Sequence, residues 1–174
     1  MEFKGMLDAF YGPAAPNELK NLIHQNSFDN LTEDEAQGFG EAFSLIIQFS
    51  KINPLPDNLP IMIIYITEPE LTLLPAKNIG GQFAHLVLIC LYKLREEKRS
   101  RASYMMVMLE ELLHGLYHIR NEYVVKKLAI EIAQLRHKLT LHECYPSMFD
   151  EHDRPKYCSD YAEDYYEITK LTPP

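Results

Sequence analysis

Three prolines in NPLPDNLP, residues 53–60, interrupt the chain, and IMIIYIT follows at 61–67. Proline fixes its own φ and donates no backbone hydrogen bond, so 53–60 is a loop. The β-branched run after it, bounded by Pro60 and Pro69, predicts a short strand. A lone strand would leave its N–H and C=O groups unpaired, so a partner must exist. QFAHLVLICLYKL, 82–94, is the expected partner, because Gly80-Gly81 and a charged turn at 95–101 flank its apolar run. LTLL, 71–74, is a further strand candidate ended by Pro75, and AKNIGG, 76–81, a turn. A proline-bounded sheet in the middle of the chain argues against an all-helical bundle.

Helical patterns flank that middle. Pro16 and Asn17 open a short predicted helix with Leu19, Leu22 and Ile23 on one face. Thr32 followed by Glu35 is a capping box that starts a helix over 33–50. Its apolar stripe is Phe39, Ala42, Phe43, Ile46, Ile47 and Phe49. Gly38 and Gly40 either weaken this helix by about 1 kcal/mol each or allow close packing. Ser100 or Ser103 caps a long helix reaching about 119, and Asn121 caps another over about 122–139. The expected fold class is α+β: a small sheet packed against one helix, with additional N- and C-terminal helices.

Length and charge narrow the function. A chain of 174 residues fits one domain. Within it, 1–58 carries an aromatic N-terminal arm and helices, 59–140 the core, and 141–174 an acidic, tyrosine-rich tail. Tyr157, Tyr161, Tyr165 and Tyr166 suit docking of that tail on the body. The net charge of −8 argues against nucleic acid as the main partner, since phosphate neutralisation needs a basic face. The apolar runs at 61–66 and 85–92 fall far short of the roughly 20 residues of a membrane span. No apolar leader is visible at the start, and three widely spaced cysteines, Cys90, Cys144 and Cys158, make no disulfide framework. A reduced, cytoplasmic protein is expected, with Cys90 an inert core residue.

One segment carries chemistry: MLEELLHGLYHIRNE, 108–122. At about 100° per residue, Glu110, Glu111, His114, His118 and, if the helix continued, Glu122 share about 120° of arc. Met105, Met108, Leu112, Leu116 and Ile119 occupy the opposite side. Carboxylate and imidazole three or four residues apart stand above one another, the spacing by which one helix offers two ligands to a divalent metal. The same pattern also describes a solvated polar face held by Glu–His pairs. Di-iron bundles use Glu-x-x-His too, but need a second copy that is absent here. His85 in its apolar run reads as a core histidine, and His24 and His152 as surface residues. His137 and His142 sit at a helix end, where His142 or Glu143 is a minor ligand candidate.

Glu110-Glu111-Leu112-Leu113-His114 resembles the His-Glu-x-x-His motif of zincin metallopeptidases, with the first histidine replaced by glutamate. The order strand, strand, motif helix, then a helix opening Asn121-Glu122 is similar to a minimal zincin core over roughly 60–140. The resemblance implies a zinc-dependent hydrolase acting on a peptide or protein. It implies Glu110 at the first ligand position, Glu111 as general base, His114 as second ligand and Glu122 as third. His118 matches no family ligand but stands one turn beyond His114, where it is a further candidate metal ligand. Two carboxylates would make the metal less zinc-selective and its bound water less acidic. Three outcomes stay open: an active hydrolase with unusual ligands, a metal-binding relic, and a zincin-like fold used for binding or regulation without metal.

Overall fold

The computed structural model describes residues 23–25, 31–56, 61–67 and 85–156. The capping box forms as the sequence predicts. Thr32 Oγ1 accepts from Glu35 N at 3.3 Å, and Glu35 Oε2 accepts from Thr32 N at 2.8 Å. It opens helix α1, Glu33–Ile52, whose expected stripe is buried throughout. Glu35 is fully buried, and Arg95 grips both its oxygens, Nε to Oε1 at 2.7 Å and Nη2 to Oε2 at 2.8 Å. Burial works against that carboxylate, but Arg95 and Thr32 outweigh it and hold its pKa below the ordinary value.

Three strands form one sheet in the order β1 (Ile23–Gln25), β2 (Ile61–Ile66), β3 (His85–Cys90), all parallel. Ile61 pairs with His85 and with Ile23, and the β2–β3 ladder runs on to Ile66 beside Cys90. Ile61, Ile63, Tyr65, Val87 and Ile89 are buried, the alternation of a sheet with one face against helices. Two expectations need correction. Ile23, expected on a short helix, is the first residue of β1, where pairing with β2 overrides a weak local pattern. The apolar run expected as strand to 94 turns at Leu91 into helix α2, Leu91–Glu96. Its leucines favour helix, and that turn presents Arg95 to Glu35. The candidate strand 71–74, the turn 76–81, residues 82–84, the arm 1–16 and the tyrosines from 157 onward lie outside the described residues.

Ser100 caps helix α3, Arg101–Tyr117, by accepting from Ser103 N. Gly115 lets α3 lie on the sheet: a Cβ there would stand 3.3 Å from Ile61 Cγ2 and 3.8 Å from Val87 Cγ2. Gly38 lets α1 lie close against α3, since a Cβ would meet Arg101 O at 2.7 Å and Tyr104 Cβ at 2.8 Å. Close packing is therefore why that glycine stands inside a helix. Asn121 Oδ1 caps helix α4, Glu122–Ala133, accepting from Tyr123 N and Val124 N. The helix stops six residues short of the expected end near 139, in a turn at 134–136. There Arg136 reaches Ser44 at 2.8 Å and His137 reaches Glu41 at 2.7 Å, both on α1. A second capping box, Thr140 with Glu143, starts the short helix α5, Leu141–Cys144. Phe149 beyond it is buried with its ring 5.6 Å from that of Tyr123. The architecture is α+β, with one apolar cluster running from Ile23 to Phe149. No helix among the described residues is long and apolar enough to cross a membrane.

Candidate functional site

The polar side of α3 faces the start of α4 and the segment after α5. Glu110 Oε2 accepts from Lys126 Nζ at 2.9 Å, and Glu110 Oε1 accepts from the Tyr145 hydroxyl at 2.6 Å. Lys126 also donates to Glu122 Oε2 at 2.6 Å, and its Nζ lies 5.3 Å from the centroid of the Tyr145 ring. The other Glu122 oxygen, Oε1, lies 3.3 Å from His114 Nε2. His114 Nδ1 hydrogen-bonds the Ile119 carbonyl. A carbonyl only accepts, so Nδ1 carries the proton and Nε2 faces Glu122.

The electrostatics follow from this arrangement. Burial works against the Lys126 ammonium, but Glu110 and Glu122 outweigh it and hold its pKa above the ordinary value. Glu122 is shifted down, because Lys126 and His114 outweigh its own partial burial. Burial pushes Glu111 up, and Glu110 and Glu122 add to this against the opposing His114 and Lys126. Glu111 makes none of the hydrogen bonds that hold the cluster. Burial, then the neighbouring Glu110, pushes the Tyr145 hydroxyl up, so it stays a donor. The Cys144 thiol is pushed up to about 11, by burial first and then by Glu143 and Glu110. That environment disfavours the nucleophilic thiolate.

Of the five residues singled out in the sequence, Glu110, His114 and Glu122 are brought into one network. Glu122 arrives from α4 rather than from a continued α3. His118 falls on the left-handed residue that ends α3, φ 57° and ψ 26°, so the helical spacing that put it above His114 stops at Tyr117. His142 Nδ1 donates to the Phe149 carbonyl at 3.0 Å, and Glu143 is occupied by its capping box. His152 is exposed, and the His24 and His85 side chains lie outside what is described. Cys90, expected in the core, is half-buried, because it stands next to exposed Leu88 at the end of β3.

Sequence reasoning missed the two residues that close the network, Lys126 and Tyr145. Glu122 and Lys126 are four apart on α4, a pairing that spacing alone could have flagged. Nothing local points from Tyr145 to Glu110, because a turn and a short helix lie between them.

No protein-family model, curated protein or solved structure matches the chain.

The donor set can be tested against zinc directly. Zinc takes carboxylate and imidazole ligands at about 2.0–2.2 Å from a shared centre. Here an ammonium already stands between the two carboxylates at hydrogen-bonding distance, with a tyrosine hydroxyl on the remaining oxygen of Glu110. Among the described residues no three His, Cys, Asp or Glu side chains are gathered so as to hold a metal ion. In this arrangement the residues do not fit zinc.

Proposed function

We propose that this chain is a non-catalytic binding or regulatory protein with a peptide or protein partner, its zincin-like motif serving structure rather than hydrolysis. The observation that carries this reading is Lys126 Nζ, 2.9 Å from Glu110 and 2.6 Å from Glu122. The ammonium bridges the two carboxylates and cancels one of their two negative charges, where a divalent ion would cancel both. The ammonium has protons to donate and no vacant orbital, so it neither polarises a carbonyl as a Lewis acid nor acidifies a bound water. The cluster then ties α3, α4 and the segment at Tyr145 together. The odd number of cysteines, with Cys90 and Cys144 unpaired, supports a reducing, cytoplasmic setting.

One observation favours the zinc-dependent peptidase as a second reading. His114 donates Nδ1–H to a backbone carbonyl, the orientation that metal-binding histidines use to aim Nε2 at their ion. Glu111, partly buried and with a raised pKa, suits a general base in that reading. Zinc content after equilibration with excess zinc and desalting separates the two. We expect well under one zinc per chain and no zinc-dependent rise in Tm. One tightly held zinc per chain, lost in His114→Ala, would overturn the non-catalytic reading.

A further inference from the structure

The sheet has two faces, and α1 and α3 cover one of them. Phe39 of α1 stacks on Tyr65 at 5.4 Å, and Gly115 of α3 lies against Ile61 and Val87. The alternate strand residues belong to the other face. There Leu88 is 40% exposed, beside half-buried Ile64 in the register, and Cys90 is half-buried. Met62 and Leu86 hold the same alternate positions of the ladder, and Ile66 at the end of β2 is buried. IMIIYI and HLVLIC are apolar at every position but His85. Parallel strands covered on both faces read in this way, whereas a one-sided sheet alternates apolar with polar residues. The outer face is therefore built to be covered.

Residues 1–22 run directly into β1, whose first residue, Ile23, pairs with Ile61. This segment thus ends at the sheet itself. In its sequence Phe3, Met6, Leu7 and Phe10 recur at helical spacing within about 100° of arc, and Glu2, Lys4 and Asp8 fall outside that arc. As a helix, Phe3 to Phe10 would span about 10 Å, against about 13 Å for the strand positions from 62 to 66 or from 86 to 90. Leu88 lies two strand spacings across and three residues along from Ile23, roughly 14 Å away over the face. Residues 11–22 reach about 40 Å when extended, ample for that distance. The other long segments suit the face less well. Residues 68–84 are broken by Pro69, Pro75 and Gly80-Gly81 and carry no stripe of this length. Lys156 is tied to the Met148 and Pro146 carbonyls, so residues 157–174 start from the helical side.

We propose that the N-terminal segment, residues 1–22, docks on the outer face of the sheet, with Phe3, Met6, Leu7 and Phe10 against Ile64, Leu88 and Cys90. The face lies on the opposite side of the sheet from the Lys126 cluster, so the proposal stands apart from the zinc question.

The test uses Cys90 as a reporter on this face. In the full chain carrying Cys144→Ser and Cys158→Ser, it is the one thiol left. Phe3, Met6, Leu7 and Phe10 are changed to cysteine one at a time, as are Lys4 and Asp8, and each chain is oxidised with copper phenanthroline. A disulfide requires the two Cβ atoms within about 4.5 Å. One within a single chain is expected from at least one stripe position and from neither Lys4→Cys nor Asp8→Cys. Mass spectrometry of the digested protein identifies it, and circular dichroism checks that each variant is folded. Absence of a disulfide from all four stripe positions, or equal yields from both sides of the segment, overturns the proposal. So does a disulfide between two chains, which assigns the face to a second copy, or one formed by Leu73→Cys or Tyr161→Cys in place of the stripe. A second measurement leaves the cysteines unaltered. Leu88→Ala and Phe10→Ala should each lower the urea midpoint, and together by less than the sum, because both empty the same contact. Additive shifts overturn the proposal.

Discussion

Lys126 and Glu110 meet across the α3–α4 interface at 2.9 Å, with side chains only 14% and 13% exposed. A pair this deep is informative when one partner is removed, because the charge left behind is far from water. Lys126→Met keeps the apolar stem and deletes the charge. It strands Glu110, while Glu122, 58% exposed, returns to solvent at little cost. The expected loss is about 2 kcal/mol at neutral pH, read as a lower midpoint in urea. Adding Glu110→Gln should restore much of it, since the amide can keep the Tyr145 hydrogen bond without a charge.

Glu111 and Glu122 sit on facing helices and titrate in opposite directions. Burial raises Glu111 above the ordinary 4.5, so its folded form binds its proton more tightly than the unfolded chain does. That contribution to stability is present below the unfolded pKa and is lost as pH rises through the folded pKa. Glu111→Gln should therefore stabilise the protein at pH 7 and make no difference at pH 3. Glu122 is depressed, so its contribution is present above the unfolded pKa and lost as pH falls through the folded one. Glu122→Gln should accordingly destabilise at pH 7 and converge with the unaltered chain in acid. Urea titrations of both variants across pH 3–8 check the opposite signs.

The elements that local chemistry governs were legible in the sequence. Thr32 with Glu35, Ser100 and Asn121 each mark a helix start, because a cap is satisfied within three residues. The strands at 61–66 and 85–90 were visible as bounded apolar runs. The helix at Leu91 was not, because Cys90 at its start offers no capping side chain and neither proline nor glycine marks the change. The candidate site was half legible. Glu110, His114 and Glu122 do gather, but the cation they gather around is a lysine from the next helix, and the acid at its edge is capped by Tyr145. Which cation fills an acidic cluster depends on contacts between elements, and spacing along one helix does not encode them.

His118 is a non-glycine residue at φ 57°, the left-handed conformation in which a Cβ crowds the following carbonyl. It ends α3 where glycine is the usual choice. His118→Gly relieves that crowding but gives the unfolded chain more freedom to lose. A net gain of about 0.5–1 kcal/mol is expected, seen as a rise in Tm. A fall in Tm would mean that contacts of the imidazole itself outweigh the backbone relief.

Gly38 sets helix propensity against packing. On propensity alone, Gly38→Ala in the middle of α1 should stabilise by about 1 kcal/mol. The new methyl, however, meets Arg101 O at 2.7 Å and Tyr104 Cβ at 2.8 Å. Neither is the far end of a flexible side chain. One is backbone in the first turn of α3, and the other is fixed to that backbone, so α1 and α3 must separate. Separation also strains the stacked rings of Phe39 and Tyr65, 5.4 Å apart, and the Phe39–Tyr104 edge contact at 5.9 Å. Overpacking of this kind costs about 1–3 kcal/mol, enough to exceed the propensity gain. Gly38→Ala should therefore lower the urea midpoint. Gln48→Ala, at an exposed position of the same helix, should leave it nearly unchanged. If Gly38→Ala proves as stable as the unaltered chain, the close crossing of α1 and α3 is wrong.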